Sequence, residues 1–390
     1  MRTFCFVVAT PPTDRDYRRY GVERISARGA DVLFWDITRL LNPKYRTPSS
    51  DEPRGRFRSV EIATREDLAA RCREQAGKDA VVIDTSGVRS VYLPICGLLN
   101  HLGVPSAVFC ANAMPRTQLH ESRLLDAARE ALSSLKSGVI RAVRYGCAPR
   151  YVLAGGLKSH WRQPPAGAGT RIVWAHALDF DIYLDCKERA VPESSGGDIV
   201  FLDEAFPLHP DWFTTGAPVN PYPEPREYYR ELDRMLAIIE SRARRHVVIA
   251  AHPRVDYGSS PDFFNGRRVV QGKTAELVAG ASLVLAHGST SVNFAVLFGK
   301  PVVFLMPEKV RRGFYGRRIC GFAAEFGKRA YGPAELKGID IDKESVVEDR
   351  VYAAYRENYI KAAGSPERYF WDIVCDAVSA PDSGPLRQHG

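Results

Sequence analysis

Between Leu283 and Leu305 the chain reads LVLAHGSTSVNFAVLFGKPVVFL. Two short apolar runs flank a segment with helical character. Neither run has a polar face to leave in water, so each predicts a strand buried on both sides. That is the signature of a parallel sheet covered by helices. Gly299 ends the helix and Pro301 opens the second strand. The turn before the helix carries His287, Gly288, Ser289, Thr290 and Ser291. Small hydroxyl residues therefore sit at a helix start, beyond the carboxyl end of a strand. Free N–H groups and a partial positive charge suit such a place to a phosphate.

The same alternation runs through the rest of the chain. Strands are predicted over Thr3–Ala9, Asp31–Trp35, Ala80–Ile83, Ser106–Cys110, Tyr151–Ala154 and Arg171–Ala175. Helices are predicted over Asp14–Arg28, Thr64–Glu74, Val91–Leu102 and Ser122–Leu135. A Pro-, Ser- and Gly-rich stretch, Ala190–Asp198, reads as a linker. A second series follows, with strands at Ile199–Leu202, His246–Ala251, Arg268–Val270, Ser282–Ala286 and Pro301–Leu305. Its helices are expected at Pro225–Arg242, Thr274–Gly280, Val292–Phe298, Glu344–Ala362 and Glu367–Ala377. With 390 residues there is room for two cores. The expectation is two tandem Rossmann-like doubly wound α/β domains, residues 1–195 and 196–345, with terminal helices over 346–380. Ligands of such sheets bind beyond the carboxyl edges, here in a cleft between the two domains. The first strand lacks a following Gly-x-Gly-x-x-Gly, and no Gly-x-x-x-x-Gly-Lys-Ser/Thr occurs. Both observations disfavour dehydrogenase and P-loop chemistry.

Composition narrows the class. No apolar run is long enough to span a bilayer, and the eight cysteines form no CxxC pair. The expected setting is cytoplasmic, with reduced thiols and no structural disulfide. The net charge of +8 is uneven: Lys309–Arg318, KVRRGFYGRR, holds five basic residues and no acid. That run reads as a phosphate or glycan contact, or as peripheral docking on an anionic membrane. No nucleic-acid motif is present.

Candidate site residues cluster at strand ends. His252-Pro253-Arg254 closes the strand HVVIAA, 35 residues before His287. His252 can donate to a phosphate oxygen and Arg254 can add a charged contact. Lys273 and Thr274 open another helix. A base for an acceptor hydroxyl is sought among Asp203 and Glu204, in VFLDEAF, and Asp84, in VVIDTSG. Consecutive strand residues point opposite ways, so one of the 203–204 pair is expected to face a ligand. His176, Asp179 and Asp181 lack the supporting ligands of a metal site; no metal and no cofactor are expected.

The ordered set Asp203-Glu204, His252-Pro253 and Ser289-Thr290-Ser291 resembles three motifs of bacterial capsule and lipopolysaccharide glycosyltransferases of the GT-B fold. The likeness is to those using CMP-activated acidic sugars, the sialyl-, polysialyl- and Kdo-transferases. It covers the second domain, and Ala205 stands where those enzymes have glycine. The resemblance implies an inverting, metal-independent transferase. The acidic motif would supply the base, His252 and the serines would hold the donor phosphate, and the first domain would take an oligosaccharide or glycolipid acceptor. Asp84 remains the alternative base. Alternative activities are a CDP-polyol phosphotransferase of the teichoic-acid type and a UDP-sugar 2-epimerase-like enzyme.

Overall fold

A computed structural model describes residues 1–43, 58–87, 89–115, 147–159, 167, 169–191, 197–209, 220–253, 255, 257 and 263–380. By contacts the chain forms two compact units. One draws on Met1–Ala111, Glu121–Leu178 and Lys361–Gly390, the other on Asn112–His120 and Asp179–Ile360.

In the first unit seven strands form a wholly parallel sheet: β1 (Thr3–Val8), β2 (Asp31–Asp36), β3 (Arg58–Glu61), β4 (Ala80–Asp84), β5 (Ser106–Phe109), β6 (Tyr151–Ala154) and β7 (Arg171–Trp174). Their order is β3-β2-β1-β4-β5-β6-β7. The direction of winding reverses between β1 and β4, where Val7 lies beside Asp84. Alternate side chains feed two cores, as a strand buried on both faces requires. Phe4, Phe6 and Val8 point to one; Cys5 and Val7 point to the other.

The second unit repeats the plan with six parallel strands: β8 (Ile199–Leu202), β9 (Val247–Ala251), β10 (Val269–Gln271), β11 (Leu283–Ala286), β12 (Val302–Leu305) and β13 (Ala330–Tyr331). The order is β10-β9-β8-β11-β12-β13, with the reversal between β8 and β11. Every residue of β8, β9, β11 and β12 is buried. The doubly wound class expected from the apolar runs is therefore present in both units.

Local differences from the sequence reading have physical causes. The helix expected over Asp14–Arg28 is two, Asp14–Arg19 and Val22–Ala27, broken at Gly21 with φ +57°. That glycine lies against Trp371, where a Cβ would come within 2.4 Å of the indole. The terminal helix Phe370–Ser379 belongs to the first core, with Trp371 edge-on to Phe6 and its Nε1 donating to the Arg19 carbonyl. The helix expected over Glu344–Ala362 is shorter, Asp349–Tyr355, and runs into a π-turn at Arg356–Ile360. The edge strand β3 is exposed and lacks an apolar run, so its pattern gave no signal. The helix Phe314–Glu325 was hidden by its glycines and arginines. The helix expected at Ser122–Leu135 lies outside the described residues. Among the described residues no helix is long and apolar enough to cross a membrane.

Gly21→Ala combines left-handed strain with a clash against Trp371 and should cost about 2–3 kcal/mol. Gly29→Ala, at φ +77° with open space around it, should cost about 1 kcal/mol. Urea unfolding of the full chain compares them; equal losses would remove Trp371 from the account.

Candidate functional site

β8 and β11 flank the reversal point of the second sheet, and the chain beyond their carboxyl ends carries two of the three expected motifs. Open α/β sheets bind ligands at such a point. Asp203 prolongs the β8 ladder, its N–H donating to the Ala250 carbonyl at 3.1 Å. Ala205 then adopts φ +47° and turns the chain into Phe206–Leu208. That left-handed conformation ordinarily favours glycine.

The two adjacent carboxylates go to opposite neighbours. Glu204 reaches across to β11. It accepts from the Gly288 N–H at 2.6 Å and from Arg318 Nη2 at 2.9 Å, and it is 9% exposed. Both its oxygens are thus committed, and Arg318 also lies 5.0 Å from the Tyr315 ring. The Arg318 guanidinium offsets its charge, so Glu204 forms a strut between the end of β8, Gly288 and Arg318.

Asp203 turns toward β9. One oxygen accepts from the Ala205 N–H at 3.0 Å and the other from the Tyr257 hydroxyl. It is 6% exposed. Burial pushes its carboxyl up to about 6, against the lowering effect of those two donors, and the nearby Glu204 adds to the rise. A carboxyl titrating near neutrality is suited to general-base work.

Beyond β9, the His252–Val255 turn is pinned by Gln271 Nε2, which donates to the carbonyls of His252 and Val255, both at 2.9 Å. The His252 ring packs edge-on to His209 at 4.9 Å, and its backbone N–H donates to Tyr257 Oη at 3.3 Å. Pro253 is exposed. Arg254 lies outside the described residues.

His287 is placed differently from its expected phosphate contact. It is 1% exposed, with Nδ1 2.7 Å from the Leu305 carbonyl and Nε2 2.8 Å from the Tyr228 hydroxyl. Burial lowers its pKa, so the ring is neutral. A carbonyl can only accept, so Nδ1 carries the proton and Nε2 accepts from Tyr228. His287 joins β12 to the helix Pro225–Ala243 and has no nitrogen left for a ligand. The Gly288 N–H is likewise taken, by Glu204.

What remains for a ligand is the half-buried turn Ser289-Thr290-Ser291. Ser291 Oγ donates to Ser289 Oγ at 3.0 Å, and the first turn is tightened by Val292 N–H to the Ser289 carbonyl. The N–H groups of Ser289 and Thr290 have no backbone partner among the described residues. The following helix is short, Val292–Leu297. Asn293 is buried at its base and donates to Asp179 at 2.9 Å.

Lys273 and Thr274 start the helix after the edge strand β10; Lys273 is exposed and Thr274 half-buried. Among the described residues no hydrogen bond or ion pair joins them to Asp203 or to the serine turn. Asp84 ends β4, at the reversal point of the first sheet. Its Oδ1 accepts from the Ser86 N–H at 3.1 Å and hydroxyl at 2.5 Å, and burial pushes it up to about 6. In the basic run, Lys309 pairs with Glu227, Arg311 with Glu335 and Arg318 with Glu204, which leaves far less free positive charge than the sequence implies. Among the described residues no cluster of three His, Cys, Asp or Glu is arranged to hold a metal. His176 instead lies 2.7 Å from the Arg368 carbonyl.

Sequence reasoning missed Tyr257, Tyr228 and Asn293, and took Arg318 only as one member of a charged run. Tyr228 was hidden inside the apolar face of an amphipathic helix. Tyr257 sits in a polar loop with no periodicity.

No protein-family model matches the chain, and no curated protein matches it. Solved structures do. CalG4, the calicheamicin glycosyltransferase, superposes with a TM-score of 0.52 at 12% identity, over 98% of this chain and 100% of that one. Os79 from O. sativa, in complex with UDP, gives 0.51 at 12% identity, over 96% and 99%. The fold is GT-B. At this identity the likeness is one of architecture, and the chemistry has to be argued from the site.

Glu204→Gln keeps an acceptor for Gly288 but leaves Arg318 without its counter-charge. It should destabilise the full chain by about 3 kcal/mol. A thermal melt as stable as the parent's would remove Glu204 as a strut.

Proposed function

We propose that the protein is an inverting glycosyltransferase. In this reading the second unit binds a nucleotide sugar and the sugar passes to an acceptor hydroxyl without a metal ion. One observation carries the reading. At the reversal point of a GT-B second unit, a buried carboxyl titrating near neutrality adjoins a carboxylate that fixes a turn of three hydroxyl residues. Among the structures sharing the fold, one is the calicheamicin glycosyltransferase and another holds UDP.

The steps follow from the residues. Asp203 takes the proton of the acceptor hydroxyl. That oxygen attacks the anomeric carbon from the side opposite the nucleotide, and the bond to the phosphate breaks with its electron pair leaving on the phosphate oxygen. Attack from the opposite side inverts the configuration. The hydroxyls of Ser289, Thr290 and Ser291, with the N–H groups of Ser289 and Thr290, meet the charge that develops on the phosphate. His252 supports them from the β9 side.

The finer reading is a CMP-activated acidic sugar moved onto an oligosaccharide or glycolipid. It rests on the order of the three motifs; Ala205, which departs from their glycine, adopts a left-handed φ of +47°, a conformation that ordinarily favours glycine. Arg312 and Arg317 are the basic residues of the 309–318 run left for an anionic acceptor or surface.

Thermal shift with CMP, UDP and GDP tests the donor site: one nucleotide should raise the melting temperature, CMP most, and silence from all three would sink the proposal. Asp203→Asn should lower turnover by about 10²–10⁴. At pH 7 it should leave stability unchanged or raised by up to about 3 kcal/mol, because it removes a charge that burial disfavours. If Asp84→Asn alone abolishes turnover while Asp203→Asn retains it, the base belongs to the first unit. His252→Ala should reduce transfer far more than stability.

A further inference from the structure

Asp203 is surrounded by three tyrosines, and the structure uses each differently. Tyr228 donates to His287. Tyr229 keeps a buried hydroxyl with no partner among the described residues, its ring stacked on Phe263. Tyr257 alone donates to Asp203.

The bond to Tyr257 is one link of a chain with a fixed direction. Gln271, on the edge strand β10, holds the carbonyls of His252 and Val255. The turn so fixed aims the His252 N–H at Tyr257 Oη, and the Tyr257 hydroxyl then donates to Asp203 Oδ2. A backbone N–H cannot accept, so it occupies the acceptor side of Oη and leaves the hydroxyl proton only one way to point. Burial and the charge of Asp203 push the phenol pKa far up, so Tyr257 stays a donor throughout the working range. The remaining oxygen of Asp203 is oriented by the Ala205 N–H.

We propose that Tyr257 is a positioning residue. It orients the Asp203 carboxylate, favours its charged form, and ties the acidic motif to the His252 turn so that the two work as one site. This rests on the reading of Asp203 as the base. When Asp203 takes the acceptor proton, the donor from Tyr257 remains on one oxygen and the proton binds a free lone pair of the carboxyl. The charge lost from Asp203 appears on the departing phosphate, so atoms and charge balance.

The groups that face Asp203 bear on its titration. Glu204 follows it on the same strand end. Tyr228 and Tyr229 approach from the helix Pro225–Ala243, and Tyr257 from the loop after β9. Of these, Tyr257 is the side chain that donates a hydrogen bond to it. Its removal should therefore raise the carboxyl pKa, because the charged form loses a donor while the neutral form loses less. The Tyr257 ring also packs near Phe264, at 5.8 Å, and Phe preserves that contact.

The experiment is Tyr257→Phe in the full chain, with Tyr229→Phe as the comparison. The Asp203 carboxyl is titrated by carbon-13 NMR in the ligand-free protein, and the pH dependence of kcat/KM is measured with the nucleotide sugar whose nucleotide stabilises the protein most. In Tyr257→Phe the Asp203 titration and the acid limb of the rate profile should both move to higher pH. kcat should fall at least tenfold while KM for the donor changes less than threefold. Tyr229→Phe should not raise the Asp203 titration. An unmoved Asp203 titration in Tyr257→Phe overturns the proposal outright. A raised titration with an unmoved acid limb would show that Asp203 is not the base, and the role of Tyr257 would fall together with that reading.

Discussion

The second unit depends on one buried carboxylate. Glu204 holds the backbone of Gly288 and the guanidinium of Arg318 at once. It therefore joins β8, the turn after β11 and the helix Phe314–Glu325. At the reversal point of a doubly wound sheet the two central strands send their connections to opposite faces, which opens a crevice between their ends. Among the described residues the β8–β11 ladder ends at Phe201 and Leu285. Glu204 links the end of β8 to Gly288, the residue before the Ser289-Thr290-Ser291 turn. His287 supports the same turn from beneath through Leu305 and Tyr228. The residues before the hydroxyl turn are thus held by two buried groups, Glu204 and His287.

Asp203 and Glu204 show how environment separates chemically similar groups. Glu204 meets a full counter-charge and a backbone donor. Asp203 meets only neutral donors, in a place equally shut off from water, and its proton affinity rises toward neutrality. Surroundings, more than chemical type, set what each of two adjacent carboxyls can do. The left-handed Ala205 makes the division possible, because it turns the chain immediately after the pair and returns its own N–H to Asp203.

The architecture was legible because strands such as LVLA, VVIAA and IVFL are buried on both faces and so carry no polar residue. Periodicity told less where burial is one-sided or absent, as at β3, or where glycine interrupts a helix, as in Phe314–Glu325. For the site, the sequence located the strand ends but not the directions of the side chains. His287 and Ser289 look equivalent as polar residues in one turn. One is a buried pillar and the other is half-buried, and the difference comes from Tyr228, 59 residues earlier in the chain, which holds His287. The charges of Lys309 and Arg318 looked free because their acidic partners, Glu227 and Glu204, lie far from them in sequence; Arg311 pairs both with the distant Glu335 and with Glu308, just before the run.

Asp203 has a counterpart in Asp84, and the pair bears on why the fold keeps such groups. Each ends the strand beside the reversal point of its own sheet, and each is pushed by burial from the usual 3.8 up to about 6. A carboxyl whose pKa is higher in the native state binds its proton more tightly there than in the unfolded chain. Its contribution to stability therefore falls as pH rises from about 4 to about 6 and stays low above that. At neutral pH both residues are held charged at a cost to the fold. An asparagine could accept the same backbone hydrogen bonds at either place without that cost. A structural role is better served by the arrangement at Glu204, where a guanidinium offsets the charge. Two incompletely compensated carboxyls, one beside the reversal point of each sheet, have the proton affinity that acid–base chemistry at neutral pH calls for.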